Sequence, residues 1–462
     1  MISSAGLSDL CLMLDRQEPS VTDVELSEGT IENPEDASSL MRALRTNTVL
    51  HTLVLTKSNV NPSICLQLSD ALLVNRSLKK LWLDENPIGD KGIASITKSL
   101  EQNGTLQLLS LQHCAIADEG AKMIGVCLKT NTTLSQLHLG HNAIGDNGAA
   151  ALVWGLESNE GIEKLWLPHN HVQDNGAQLF GMGLVTNTML LYLVLDHNEI
   201  GPLGAAEIGS GLTQNSTLQQ LGLRHNKIGD DGAVALAHGL MENQCLMRLA
   251  LWNNGIGDKG AAAFGKALGH NTRLQQLGLR QNQVSCGGAE ALAKGLASNT
   301  SLVRLGLSHN RVGNDGAAAL GDMLATNTRL QQLGLAHNVV GDLGVIAIAR
   351  GIQRNESLQR LELGHNEIRN DGGAALGERI AVNQCLKELN LAYNFVGEIG
   401  LSVLSNALDI NRTLEKLQLQ GNPGLDESTM LVLLGCTDPE NEANEDDGIA
   451  NRCKVLSFVE SK

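Results

Sequence analysis

From Leu50 onward the chain is written on a 28-residue beat. Leu50, Leu78, Leu106, Leu134, Ile162, Leu190, Leu218, Leu246, Leu274, Leu302, Leu330, Leu358, Leu386 and Leu414 are equally spaced, and each opens the string LxxLxLxxN. Within LxLx the apolar period is two, so Leu221 and Leu223 point inward while Gln220, Gly222 and Arg224 point outward from a short strand. Strands of successive units are expected to stack into a parallel sheet at about 5 Å spacing. The period then changes. Ala233, Leu236, Ala237 and Leu240 fall at i, i+3, i+4 and i+7, one apolar stripe of a helix. Asp90, Asp118, Asp146, Asp174, Asp230, Asp258, Asn314, Asp342 and Asn370 stand where each helix should begin and are expected to act as its N-cap. The Asn of LxxLxLxxN occupies twelve of fourteen units, with Ser58 and Cys114 as exceptions. A buried amide there can satisfy the backbone of the adjoining turn, which an apolar side chain could not. No proline lies between Pro202 and Pro423, as uninterrupted repeats require.

The pattern sets the domain boundaries. Residues 1–49 read as an N-terminal cap with one irregular repeat (Val21, Val24, Leu26), and 50–424 as the repeat array. Residues 425–437 read as a capping helix, and 438–462 as an acidic linker and tail that includes DPENEANEDD.

These units resemble the ribonuclease-inhibitor class of leucine-rich repeats. The string IGDxGAxALAxGLxxNxTL is most similar to the C-terminal arrays of NLR-type receptors. The resemblance implies an α/β fold, a leucine-rich-repeat solenoid or horseshoe, with a parallel sheet on its concave face and helices on its convex face. It implies no particular partner, because the class binds many.

Composition sharpens this picture. Apolar residues make up 42% of the 462 and aromatics only 2%, so the core must be built from repeated aliphatics. The net charge of −16 disfavours indiscriminate binding to nucleic acid or anionic membranes. Nine dispersed cysteines without CxxC spacing read as reduced thiols, and the first residues make a poor signal peptide, so a cytoplasmic location is expected. No run of 18 apolar residues suggests a membrane span.

Motifs that look chemical dissolve into the repeat. Gly260 to Ala267 nearly matches a phosphate loop, but both of its glycines should lie inside a helix, where no free N-terminus cradles a phosphate. Seven Asn-x-Ser/Thr triplets share one repeat position, and without a leader glycosylation is not expected. Eight histidines (His113, His141, His169, His197, His225, His309, His337, His365) precede the Asn column, and the first five come from consecutive units. They should form a row along one rim. A row of polar residues beside the Asn column serves the fold, so no metal or cofactor is assigned. The row is expected to charge below roughly pH 6.

The outward strand positions carry the strongest functional signal. Of six Trp and Tyr residues, Trp82, Trp166, Tyr192 and Trp252 project from the sheet face, with Tyr393 at its edge. Such aromatics are typical interface anchors. Arg224, Arg248, Arg280, Arg304 and Arg360 point outward in the second half, opposed mainly by Glu362, whereas Lys80 and Lys164 are balanced by Asp84 and Asp196. Arginine forks suit carboxylates.

The expectation is a non-enzymatic scaffold that binds a protein, an acidic one by choice, on its concave face, with no small-molecule substrate. Two alternatives are weighed. The activating protein of the GTPase Ran is similar in its repeats and acidic tail, but the early loops TKSNVNP and DENPIGDKG lack the arginine that such activity needs. RNA or another polyanion would suit arginines beside tryptophans, against the overall acidity.

Overall fold

The computed structural model describes residues 4–26, 31 and 33–425. The chain divides into two compact units, Met1–Lys227 and Ile228–Lys462. The expected closing helix and acidic tail lie outside the described residues.

In the first unit, after the opening helix Ser4–Asp15, the described residues form eight three-residue strands: β1 (Asp23–Glu25), β2 (Thr52–Val54), β3 (Lys80–Trp82), β4 (Leu108–Ser110), β5 (Gln136–His138), β6 (Lys164–Trp166), β7 (Tyr192–Val194) and β8 (Gln220–Gly222). They pair in parallel in chain order. Register advances one repeat per strand, with Lys80 beside Leu108 and Leu108 beside Gln136. At β1 the beat slips, and Asp23 faces Thr52. In the second unit β9 (Arg248–Ala250), β10 (Gln276–Gly278), β11 (Arg304–Gly306), β12 (Gln332–Gly334), β13 (Arg360–Glu362), β14 (Glu388–Asn390) and β15 (Lys416–Gln418) pair in the same way.

Helices of 11 to 14 residues alternate with the strands, such as Asp146–Leu156 in the first unit and Gly229–Glu242 in the second. The strand–helix alternation that the 28-residue period predicts is therefore present in both units. The middle residue of each strand is buried, from Leu53 to Leu221 and from Leu249 to Leu417, and so is the helical stripe Ala233, Leu236, Ala237, Leu240. Neighbouring helices approach backbone to backbone. A Cβ at Gly155 would sit 2.4 Å from the Gly125 carbonyl oxygen, which only glycine accommodates.

Two asparagine columns tie the repeats together. Asn142 Nδ2 donates to the carbonyls of Leu111, Leu139 and Gly140, and its Oδ1 accepts from Cys114 and Ile116. This is the turn-satisfying role that the pattern predicts. At the exceptions, Ser58 Oγ donates to Leu26 O and Cys114 Sγ to Leu83 O. The Asn of the NxT triplets forms a second column. Asn131 Nδ2 donates to Leu100 O at the end of the preceding helix, while its Oδ1 accepts from Thr133 and Leu134. All seven triplet asparagines are buried and engaged in this way.

The helix-start acids correct the expectation. Asp118 opens helix Asp118–Leu128 at its first helical position, and the N-cap residue Ala117 makes no side-chain cap bond. Its Oδ1 instead accepts from Gly145 N (2.7 Å) and Gly148 N (3.0 Å), the first turn of the following helix. Asp146, Asp174, Asp230, Asp342, Asn314 and Asn370 repeat this pattern, each reaching one repeat onward. Asp90 does so with one bond to Ala117 N, and Asp258 with bonds from Ser285. The side chains lie at the first or second helical position, so they point at the neighbour's free N–H groups and not at their own. Glycine at position 148 leaves room, because a Cβ there would meet Asp118 Oδ1 at 2.7 Å. Where proline fills the acid's place at Pro62, the next turn changes. Gly89 takes φ +56° and donates to Cys114 O instead.

Candidate functional site

The strand face turned away from the helices carries three outward rows, one residue before, one after and three after each strand's central leucine. The structure places the four candidate aromatics in all three rows. Tyr192 lies in the first, Trp82 and Trp166 in the second, and Trp252 in the third, just past β9. The arginines divide similarly: Arg248, Arg304 and Arg360 begin their strands, whereas Arg224 and Arg280 follow β8 and β10. One sheet face per unit thus holds these residues, and they do not fall in a single line.

In the first unit Trp82, Trp166 and Tyr192 are half-buried. The Trp166 ring meets His138 edge to face, with centroids 4.2 Å apart, and Lys164 Nζ lies 5.0 Å from the Tyr192 centroid. Burial pushes the His138 imidazole below its ordinary range, and its Nε2 has no hydrogen-bond partner. Between Trp82 and His138 even the outward residues of β4 are covered, with Ser110 at 0% exposure. Ser110 donates to Asp84 Oδ1. His138 was not singled out from the sequence; its place in the same row as Trp82 and Trp166 is the signal that could have found it.

The charge count needs correcting. Arg224 meets Asp196 (3.8 Å), a residue whose counter-charge seemed to belong to Lys164. Burial raises the Asp196 carboxyl, while the Arg224 backbone N–H and guanidinium favour its charged form. Arg360 Nε bonds Glu362 (2.6 Å) and also lies 3.3 Å from Glu388 on the adjacent strand. Glu362 makes the shortest of these ion pairs, and Asp196 and Glu388 join it as counter-charges.

In the second unit Trp252 lies across the next strand. A Cβ at Gly278 would fall 2.3 Å from its indole Nε1, so the ring covers that glycine. The Arg280 guanidinium sits 5.7 Å from the Trp252 centroid and 3.1 Å, Nη2 to Nε2, from His309. Donation from an arginine requires His309 Nε2 to accept, hence a neutral ring. Burial first, then the charge of Arg280, holds the His309 pKa below its ordinary value.

The histidine row exists as two stacks. His113, His141, His169, His197 and His225 stack at 3.9–4.0 Å in the first unit; His309, His337, His365 and Tyr393 stack at 3.8–4.3 Å in the second. Every one sits at φ +52° to +55°, a left-handed conformation in which His is enriched among non-glycine residues. Desolvation and neighbouring histidine charges lower the pKa of His141, His169 and His197, and bring His337 to about 4. His337 therefore charges at lower pH than the expected value near 6. Among the described residues no group of His, Cys, Asp and Glu is arranged to hold a metal. The phosphate-loop look-alike lies within helix Asp258–Leu268.

A leucine-rich-repeat family model matches ten segments: 74–96, 102–125, 130–153, 186–209, 214–237, 242–265, 298–321, 326–349, 354–377 and 382–405. No curated protein sequence matches the chain. Solved structures similar to it include the leiomodin-1 actin-binding site 2 (27% identity, TM-score 0.28, covering 29% of this chain and 78% of that one). The Caenorhabditis elegans tropomodulin C-terminal domain is another (13%, TM-score 0.30, covering 33% and 92%). The plant peptide hormone receptor RGFR1 with RGF2 is a third (15%, TM-score 0.37, covering 89% and 76%). The ten matched segments span just over half of the sequence and coincide with the strand–helix units described above, and the chain belongs to the leucine-rich-repeat family.

Proposed function

We propose that this chain is a non-catalytic scaffold that binds a protein partner on the sheet face opposite its helices. The observation that carries the reading is the placement of Trp82, Trp166, Tyr192 and Trp252. Four of the chain's six Trp and Tyr side chains stand half-exposed on the strand faces, three in the first unit and Trp252 in the second. Large aromatic surface held rigidly on strands costs little conformational entropy to bury and is the usual source of interface hot spots. Arg224, Arg248, Arg280, Arg304 and Arg360 add charge selection on the same faces. The 28-residue unit with a full helix supports placing the repeats in the ribonuclease-inhibitor class. Seven described cysteines are all free thiols, which supports a reducing compartment such as the cytoplasm.

The test is affinity capture with wild type beside a variant carrying Trp82→Ala, Trp166→Ala and Trp252→Ala, with circular dichroism to show that both fold. A partner held by wild type and lost from the folded variant supports the reading. Identical capture by both sinks it.

A further inference from the structure

Deepening that reading, we propose that the second unit alone, over β9 to β12, is a docking channel for an extended acidic segment of a protein partner. The charge pattern carries the argument. The twelve outward positions of these four strands hold Arg248, Arg280 and Arg304 and no acidic side chain, in a chain of net charge −16. The next strand ends the pattern abruptly, because Glu362 and Glu388 already engage Arg360.

The shape follows from the second row. Gly306 and Gly334 present bare backbone: a Cβ on Gly306 would have only main-chain neighbours, at 3.9 Å or more. Arg248 and Arg304 stand exposed along one side of this floor, flanking Gln276 in register. Trp252 and Arg280 stand along the other, with the indole laid over Gly278. Arg280 Nε is buried and has no hydrogen-bond acceptor. A chain lying on the floor would therefore meet guanidinium groups from both sides and an aromatic face at one end.

Spacing selects the conformation. Arg248 and Arg304 are two strands apart, about 10 Å. A polyproline-II segment rises about 3.1 Å per residue with three residues per turn, so acids at i and i+3 fall on one side about 9 Å apart. Side chains of Asp or Glu at that interval reach the two arginines together, and arginine forks bind carboxylates with paired hydrogen bonds. A long polyanion such as RNA meets the same arginines but also the repulsion of the acidic chain around them.

The experiment uses the full chain and fluorescein-labelled (Glu-Pro-Pro)4, read by fluorescence anisotropy at low and physiological salt. Wild type should bind it, and the neutral (Gln-Pro-Pro)4 should bind at least tenfold more weakly. Arg248→Gln with Arg304→Gln should weaken binding of the acidic peptide tenfold or more while leaving circular dichroism unchanged, since both side chains are exposed. Trp252→Ala should weaken it severalfold. No binding by wild type, equal binding of the neutral peptide, an unaffected double variant, or tighter binding of an oligouridylate of matched charge would each overturn the proposal. Failure here is separable from failure of the scaffold reading. If the peptide does not bind but the tryptophan-dependent capture persists, only the acidic channel is wrong.

Discussion

Capping across repeats makes an unusual prediction for Asp118→Ala. Were Asp118 an ordinary N-cap, its loss would loosen its own helix, Asp118–Leu128. The structure directs the effect to the next one. Asp118 Oδ1 holds Gly145 N and Gly148 N, in the first turn of helix Asp146–Leu156. Removing a cap costs about 1–2 kcal/mol, and losing a carboxylate from a helix N-terminus adds ~0.5 kcal/mol. A total near 2 kcal/mol corresponds to roughly thirtyfold in an opening equilibrium. Because repeats interact chiefly with their neighbours, the loss should stay local. Native-state hydrogen exchange is the assay. Protection should fall about thirtyfold at the amides of Gly148 and the turn after it, with helix Asp118–Leu128 nearly unchanged. Protection lost mainly within Asp118–Leu128, or no loss in the following helix, would refute the cross-repeat cap. Asp118→Asn should retain most of the protection, as Asn314 and Asn370 occupy the same place and make the same bonds.

Other consequences follow from the same contacts. Asn310→Ala should destabilise the second unit by about 3 kcal/mol in urea unfolding, because it strands Val284 N and the carbonyls of Leu279 and Leu307 in the interior; a loss below 1 kcal/mol would contradict the buried ladder. Gly278→Ala should lift the Trp252 ring from its seat and red-shift its emission, and an unchanged spectrum would show that the ring does not cover that strand. Stability should fall with acidification through the histidine stacks. The folded pKa values of His141, His169, His197, His309 and His337 lie below the unfolded value, so the unfolded chain binds more protons between the two. The contribution is complete above about pH 6.5 and is lost as pH falls toward about 4, the value reached at His337. Since the ring edges face solvent, each histidine should contribute no more than ~1 kcal/mol. His337→Gln should flatten this slope, and an unaltered pH profile would remove the stack as its source.

The repeat was legible because its signal is periodic: strand, helix and Asn column each recur at a spacing that the sequence displays directly. What stayed hidden involves partners one repeat away. Nothing in the local string around Asp118 tells that its acceptor faces residue 145, and the side-chain direction at the first helical turn decides it. The NxT asparagines were visible as one repeat position, but their bonds reach 28 and 31 residues back, as Asn131 does to Asn103 and Leu100. Histidine was visible as a column, but its reason was not: that position requires positive φ in the described repeats, and flat rings one strand apart can stack. On the open face, register identified which strand positions point outward. It could not give the pairing of Arg224 with Asp196 or the lean of Trp252 over Gly278, which depend on side-chain conformations.

The scaffold claim is tested most directly by site-specific photo-crosslinking. A benzophenone amino acid would replace, one at a time, Tyr192, Trp252 and Arg304 on the strand faces, and Trp154, Lys266 and Glu290 on helices. The account predicts that protein adducts form from the strand positions and not from the helical ones. Adducts confined to the helical positions would contradict it.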